Sequence, residues 1–254
     1  MRTNLLPRRL ALVMLGVGVF AGVGRFTEAQ QKSVTVRVQI QRVPPAKGEK
    51  AGSLPVDASE VVVWLIPLDQ PGPESPSAVP PAKKLQLVQK NKSFHPHLLV
   101  VRKGAVVDFP NHDPFFHNVF SLFDGKRFDL GLYEAGATNS VRFDREGVSF
   151  LFCNIHPEMS AVVVAVDTPY YGISDKAGNA TMPNVPDGKY DLHVWYERSL
   201  PEDLKALARV VRVGEDSREL GAIAVPLNPN FTTTHKNKYG QDYTPPPTPG
   251  YNHP

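Results

Sequence analysis

Apolar residues in this chain come in short runs, some alternating and some continuous, that are cut repeatedly by Pro and Gly, and nowhere sustain the period of a long amphipathic helix. The runs at 33–40, 60–66, 84–89, 97–101, 105–109, 116–120, 140–144, 149–153 and 161–166 predict strands, separated by turn chemistry such as Arg102-Lys103-Gly104. Many short strands at this spacing predict an all-β fold, a Greek-key sandwich. The chemistry changes at Asp167-Thr168-Pro169. Beyond it, Tyr171-Gly-Ile, Val185-Pro-Asp-Gly-Lys-Tyr190, the run 191–196 and a last strand at 209–213 predict a small second β-sandwich. Ser199 is placed to cap a turn or two of helix before that last strand.

The expected organisation is therefore a first unit over residues 30–166, with its core at 90–166, a second over 167–227, and a tail over 228–254. The stretch 71–81 reads as a surface loop. The tail has no Val, Ile or Leu and ends rich in Pro, which predicts disorder.

Residues 1–29 read as a cleavable secretory leader: Arg2, Arg8 and Arg9 precede an apolar run from Leu10 to Gly24, and the leader ends near Thr27-Glu28-Ala29, with cleavage expected after Ala29. An uncleaved anchor is the competing reading, but the run falls short of the roughly 20 residues that span a bilayer. The expected location is periplasmic or otherwise exported. The formal charge of +3 belongs largely to the leader, since without it acidic and basic residues are equal in number. Charge therefore gives no support to nucleic-acid binding or to an anionic membrane surface.

An exported chain with one Cys builds no internal disulfide, and a lone thiol in an oxidising compartment needs protection or a use. Cys153 stands at a strand end in Phe150-Leu-Phe-Cys-Asn-Ile-His-Pro-Glu-Met, so His156 and Met159 follow it at three-residue steps. A thiolate, two imidazoles and a weak thioether form the set that selects copper for electron transfer. Three come from this one loop. The second imidazole is expected from His117, at the start of a strand that a Greek key would bring beside Cys153.

Blander readings compete. Cys153 would then be an inert core thiol, with His156 and Met159 as ordinary loop residues. His95, His97 and His112 are alternative ligands or simply loop residues, and His193, His235 and His253 read as solvated polar groups. Phe115, Phe116, Phe120, Phe123 and Phe128 are expected in the core. Nucleotide-binding, metalloprotease and serine-hydrolase motifs are absent, so the common hydrolase readings gain no foothold and a protein that is not an enzyme is expected.

The loop Cys153-Asn-Ile-His-Pro-Glu-Met159 with His117-Asn118-Val119 resembles the blue-copper (cupredoxin) family, and its short spacing is most similar to that of amicyanins. The wider string from Phe94-His-Pro-His to Phe128-Asp-Leu-Gly resembles exported cupredoxin-containing proteins labelled methylamine-utilisation proteins. The second unit resembles carboxypeptidase-regulatory or transthyretin-like sandwiches. The first resemblance implies one type I copper, Asn118 tying the two ligand loops by hydrogen bonds, and Pro157 in an apolar collar around an exposed His156 edge. It implies single-electron transfer with an exported c-type cytochrome or other redox protein. Glu158 departs from the aromatic residue of amicyanins, which implies a more polar partner surface.

Overall fold

The computed structural model describes residues 33–41, 57–69, 84–122, 125–228, 230–232 and 234–243. The expected leader, the loop 71–81, Phe123, His253 and the last eleven residues lie outside them. The fold is all-β. Its strands are β1 (Val34–Gln41), β2 (Val62–Pro67), β3 (Val88–Lys90), β4 (Ser93–His95), β5 (Leu98–Arg102), β6 (Val106–Pro110), β7 (His117–Ser121) and β8 (Phe128–Tyr133). They continue as β9 (Thr138–Arg142), β10 (Gly147–Phe152), β11 (Ser160–Val166), β12 (Tyr171–Ile173), β13 (Asn179–Met182) and β14 (Gly188–Trp195). A short helix α1 (Pro201–Ala206) then precedes β15 (Arg209–Val213) and β16 (Glu219–Pro226). Among the described residues no helix is long and apolar enough to cross a membrane.

One sheet has the order β5-β11-β10-β7-β8, and it shares a core with the pairs β3-β4 and β6-β9. That core holds Phe109, Val119, Phe143, Leu151, Cys153 and Met159. The second sandwich faces the sheet β13-β1-β16 against β12-β2-β14-β15. Here β1 and β2, expected with the first unit, are hydrogen-bonded into the second: β1 lies between β13 and β16, and β2 between β12 and β14. The alternating Val34, Val36 and Val38 of β1 bury one face against Val63, Leu65 and Tyr190. Residues 84–166 thus form an insertion between β2 and β12, which pair directly through Trp64 and Tyr171.

Two strands read as continuous apolar runs because both of their faces are covered. In β11, Ala161, Val163 and Ala165 enter the first core, while Val162, Val164 and Val166 join Leu98 and Val100 against Val62 of β2. Residues 61–65 do the same in reverse, with Val61, Val63 and Leu65 in the second sandwich and Val62 and Trp64 toward β11. The two bodies therefore share an apolar seam.

Local chemistry fixes the joints. At the turn Asp175–Gly178, Gly178 has φ +85°, donates its N–H to Asp175, and approaches β1 so closely that a Cβ would sit 2.1 Å from the Val38 carbonyl oxygen. Ser199 does not cap α1. Leu200 holds that position with Pro201 following it, and the Ser199 hydroxyl donates to the Pro226 carbonyl. Within the tail, expected to be disordered, residues 235–243 lie against the first unit, where His235 stacks on Phe152 and Tyr243 reaches the backbone of Cys153.

Candidate metal centre

β10 and β7 are antiparallel neighbours, with Phe152 opposite Phe120, so the residue after β10 and the residue that opens β7 meet at one end of the sheet. Those residues are Cys153 and His117. The loop from Cys153 returns directly into β11 and is closed at its base by the Cys153 N–H to the Met159 carbonyl at 3.3 Å. Inside it the Met159 N–H donates to the His156 carbonyl at 3.1 Å, a tight turn that lifts His156 back over Cys153.

His117 Nδ1, His156 Nδ1 and Cys153 Sγ converge: the two nitrogens are 3.1 Å apart, and the sulfur lies 3.8 Å from the first and 3.6 Å from the second. The point equidistant from all three atoms lies about 2 Å from each, the length of a first-row metal–imidazole bond and near the ~2.3 Å of a metal–thiolate bond. Three soft-to-borderline donors around such a point fit copper. Cys153, His117 and Met159 are fully buried, whereas His156 is half-buried. Met159 packs in the same apolar cluster as Cys153.

The outer nitrogen of His117 is fixed as well. Nε2 lies 2.8 Å from Asp113 Oδ2, an arrangement that makes Nε2 the protonated nitrogen and turns the Nδ1 lone pair toward the thiol. Asp113 is held in turn. Its carboxylate accepts the N–H groups of Asn91 at 2.6 Å and Lys92 at 2.9 Å. Burial pushes its pKa up, but these two bonds and that of His117 outweigh it and hold the carboxyl below its usual range. Asn111 shapes the connecting loop, accepting the Asp113 N–H at 3.0 Å and donating to the Phe115 carbonyl at 2.8 Å.

Burial pushes the Cys153 thiol up, while the backbone N–H groups of Asn118, Ile155 and His156 pull it partly back. Burial, with the neighbouring His117, lowers His156. Both shifts favour the uncharged form, the thiol of Cys153 over its thiolate and the neutral imidazole of His156 over its imidazolium.

The Asn118 backbone, not its side chain, reaches the thiol. Its Nδ2 donates to Asp129 Oδ1 at 2.7 Å and to the Gly131 carbonyl at 2.9 Å, which ties β7 to β8. Pro157 and Glu158 are exposed beside His156. Phe115 and Phe116, expected in the core, are exposed because they lie on the loop crossing above the histidines rather than in a strand. The Phe115 ring is 5.2 Å from that of His117 and 5.6 Å from that of His156. Phe120 is buried against Phe152, and Phe128 packs on the first core through Phe109 and Phe143.

Among the described residues, the other histidines are not grouped with the three donors. His95 and His112 are exposed, and His193 stacks on Trp64. His97 links the Ser160 carbonyl, at 3.1 Å, to Glu197 of the second sandwich, at 2.7 Å. Sequence reading passed over Asp113 and Asn111, because Asn111-His-Asp-Pro114 reads as turn chemistry and a carboxylate four residues before a histidine carries meaning only on a helix.

No protein-family model and no curated protein matches the chain. Among solved structures, it is similar to a purple cupredoxin from Nitrosopumilus maritimus, with 23% identity and a TM-score of 0.30 over 33% of this chain and 100% of that one. It is also similar to amicyanin from Paracoccus versutus, with 20% identity and a TM-score of 0.31 over 35% of this chain and 86% of that one. A third is a copper-containing nitrite reductase from Thermus scotoductus, with 21% identity and a TM-score of 0.33 over 50% of this chain and 28% of that one. The copper reading rests on the donor atoms and not on these likenesses.

Proposed function

We propose that the protein is an exported single-electron carrier holding one copper ion through His117, Cys153 and His156, with Met159 as the weak fourth ligand. The observation that carries this is the triangle of two Nδ1 atoms and one Sγ around a point at bonding distance from all three. When bound, copper supplies the one-electron couple. His117 and Cys153, fully buried, hold their donor atoms in place across both oxidation states, and the first core excludes water from the sulfur.

Burial of two donors leaves a substrate little room, which favours a carrier over an enzyme. His156 is the donor residue that reaches the surface, with exposed Ile155 and Pro157 on either side of it and the Phe115 ring 5.6 Å away, and an apolar rim of this kind suits brief contact with a redox protein such as a c-type cytochrome. Copper storage or delivery within a binding module is the second reading, favoured by the apolar seam that fuses the site to another sandwich. Adding Cu(II) to the purified protein is expected to give an intense visible thiolate-to-copper band that Cys153→Ser removes. A colourless complex would overturn the proposal. Rapid electron exchange with a reduced c-type cytochrome separates the carrier from the storage reading.

A further inference from the structure

The C-terminal segment crosses back over the first unit and grips three consecutive residues at the metal centre. The His235 ring stacks on Phe152 with 4.1 Å between centroids and 26° between planes. The Tyr243 hydroxyl donates to the Cys153 carbonyl at 2.6 Å, and the Lys238 N–H donates to Asn154 Oδ1 at 3.0 Å. From inside, the N–H groups of Ile155 and His156 turn toward the thiol. The loop is thus held on both sides, by the segment outside and by the sulfur within.

The same segment reaches the other donor strand. Lys238 Nζ lies 2.7 Å from Asp129, the carboxylate that accepts from the side chain of Asn118, next to His117. One lysine therefore touches the Cys153 loop through its backbone and braces the His117 strand through its side chain. The Tyr243 ring also meets His235 edge-on at 5.3 Å, which fixes the hydroxyl's approach.

We propose that residues 235–243 form a working wall of the metal centre, with Tyr243 and Lys238 as positioning residues that hold Cys153 and His156 at the separation copper needs. The proposal rests on the copper reading. Burial raises the Tyr243 hydroxyl to about 12, so it stays a donor across the physiological range. Losing a well-aligned hydrogen bond is roughly a tenfold change in an equilibrium.

The test compares full-length protein with Tyr243→Phe, Lys238→Ala and a chain ending at Asn228. Each is loaded with Cu(II), its visible spectrum recorded, and copper loss to a Cu(I) chelator timed after reduction. Tyr243→Phe is expected to shift the thiolate-to-copper band and to release copper about tenfold faster. The shortened chain should release it faster still. Because removing the segment also bares Phe120, Phe150 and Phe152, the point variants keep the test decisive if that chain aggregates. Wild-type spectra and release rates in both point variants would overturn the proposal. If the wild-type protein forms no such band, the copper reading falls. The wall is then judged by labelling of apoprotein Cys153 with iodoacetamide, expected to quicken in Tyr243→Phe and in the shortened chain; unchanged rates would sink it.

Discussion

The two segments that carry the donor atoms are built on opposite plans. Residues 111–117 are held by buried side chains, with Asn111 shaping the loop, Asp113 accepting three hydrogen bonds, and His117 fully buried at its end. Residues 153–159 are held mainly at the surface, by backbone bonds across a tight turn and by the contacts of Tyr243 with the Cys153 carbonyl and Lys238 with Asn154, while Ile155 and Pro157 are exposed and His156 is half-buried. A buried polar network is costly to leave half-satisfied, so the first segment has one arrangement. A surface turn costs little to shift. The contrast places the fixed reference of the metal centre on β7 and its adjustable edge at His156, the donor residue that reaches the surface.

The strongest way to break that contrast is to remove one anchor from each side. Asp113→Ala strands the outer N–H of fully buried His117 and releases the N–H groups of the exposed residues Asn91 and Lys92. It should destabilise the apoprotein by about 3 kcal/mol and weaken copper binding by about 10–100-fold. His156→Ala should cost the apoprotein under about 1 kcal/mol while abolishing the visible band. Urea unfolding of the two apoproteins decides it. Equal losses would mean that the loop is as rigidly built as the strand.

The loop side was readable from the sequence because its three candidate residues lie within seven positions and their spacing is itself the geometry. The strand side was only partly readable. His117 could be placed by assuming a Greek key, but Asp113 acts on it through a turn that no period describes. The same limit governed the fold. Continuous runs at 61–66 and 161–166 announced strands, yet not that each is covered on two faces by two different cores. β1 looked like the first strand of its neighbour in sequence, whereas its partners are more than 140 residues away, with Arg37 opposite Asn179. β8 and β16 were missed where Gly131 and Gly221, both at positive φ, interrupt the alternation. The tail lacks aliphatic residues, and it docks instead through His235, Lys238 and Tyr243.

A second prediction concerns protons. Burial holds the Cys153 thiol above its ordinary range, so it is protonated in the apoprotein at neutral pH, whereas His156 is lowered and already neutral there. A metal ion must therefore displace one proton, and it comes from the sulfur. Binding of Zn(II) or Cu(II) near neutral pH is expected to release about one proton per ion, and affinity to rise about tenfold per pH unit until the thiol titrates. An indicator dye in weak buffer reads this directly. Cys153→Ser should lose the release, while His156→Ala should keep it; the reverse pattern would move the proton to the imidazole and erase this difference between the donors.

The smallest effect concerns what braces the return of the loop. His97 bridges the Ser160 carbonyl, one residue beyond Met159, to Glu197 on the second sandwich. The hydrogen bond to Glu197 raises the His97 pKa, against a lesser lowering by burial. A raised folded pKa means that the charged pair contributes its full stability below the unfolded value of about 6.5 and loses it as pH climbs through the folded value. The His97 side chain is 34% exposed, so solvent screening holds the contribution to a few tenths of a kcal/mol. His97→Gln should thus lower stability slightly more at about pH 6 than at about pH 9. The copper band should stay unchanged at both, because the adjustable edge lies at His156 and not at the strand that follows it. A band that shifted with His97→Gln would show that the loop takes its shape from the second sandwich, and the division between a fixed strand and an adaptable loop would have to be redrawn to include that body.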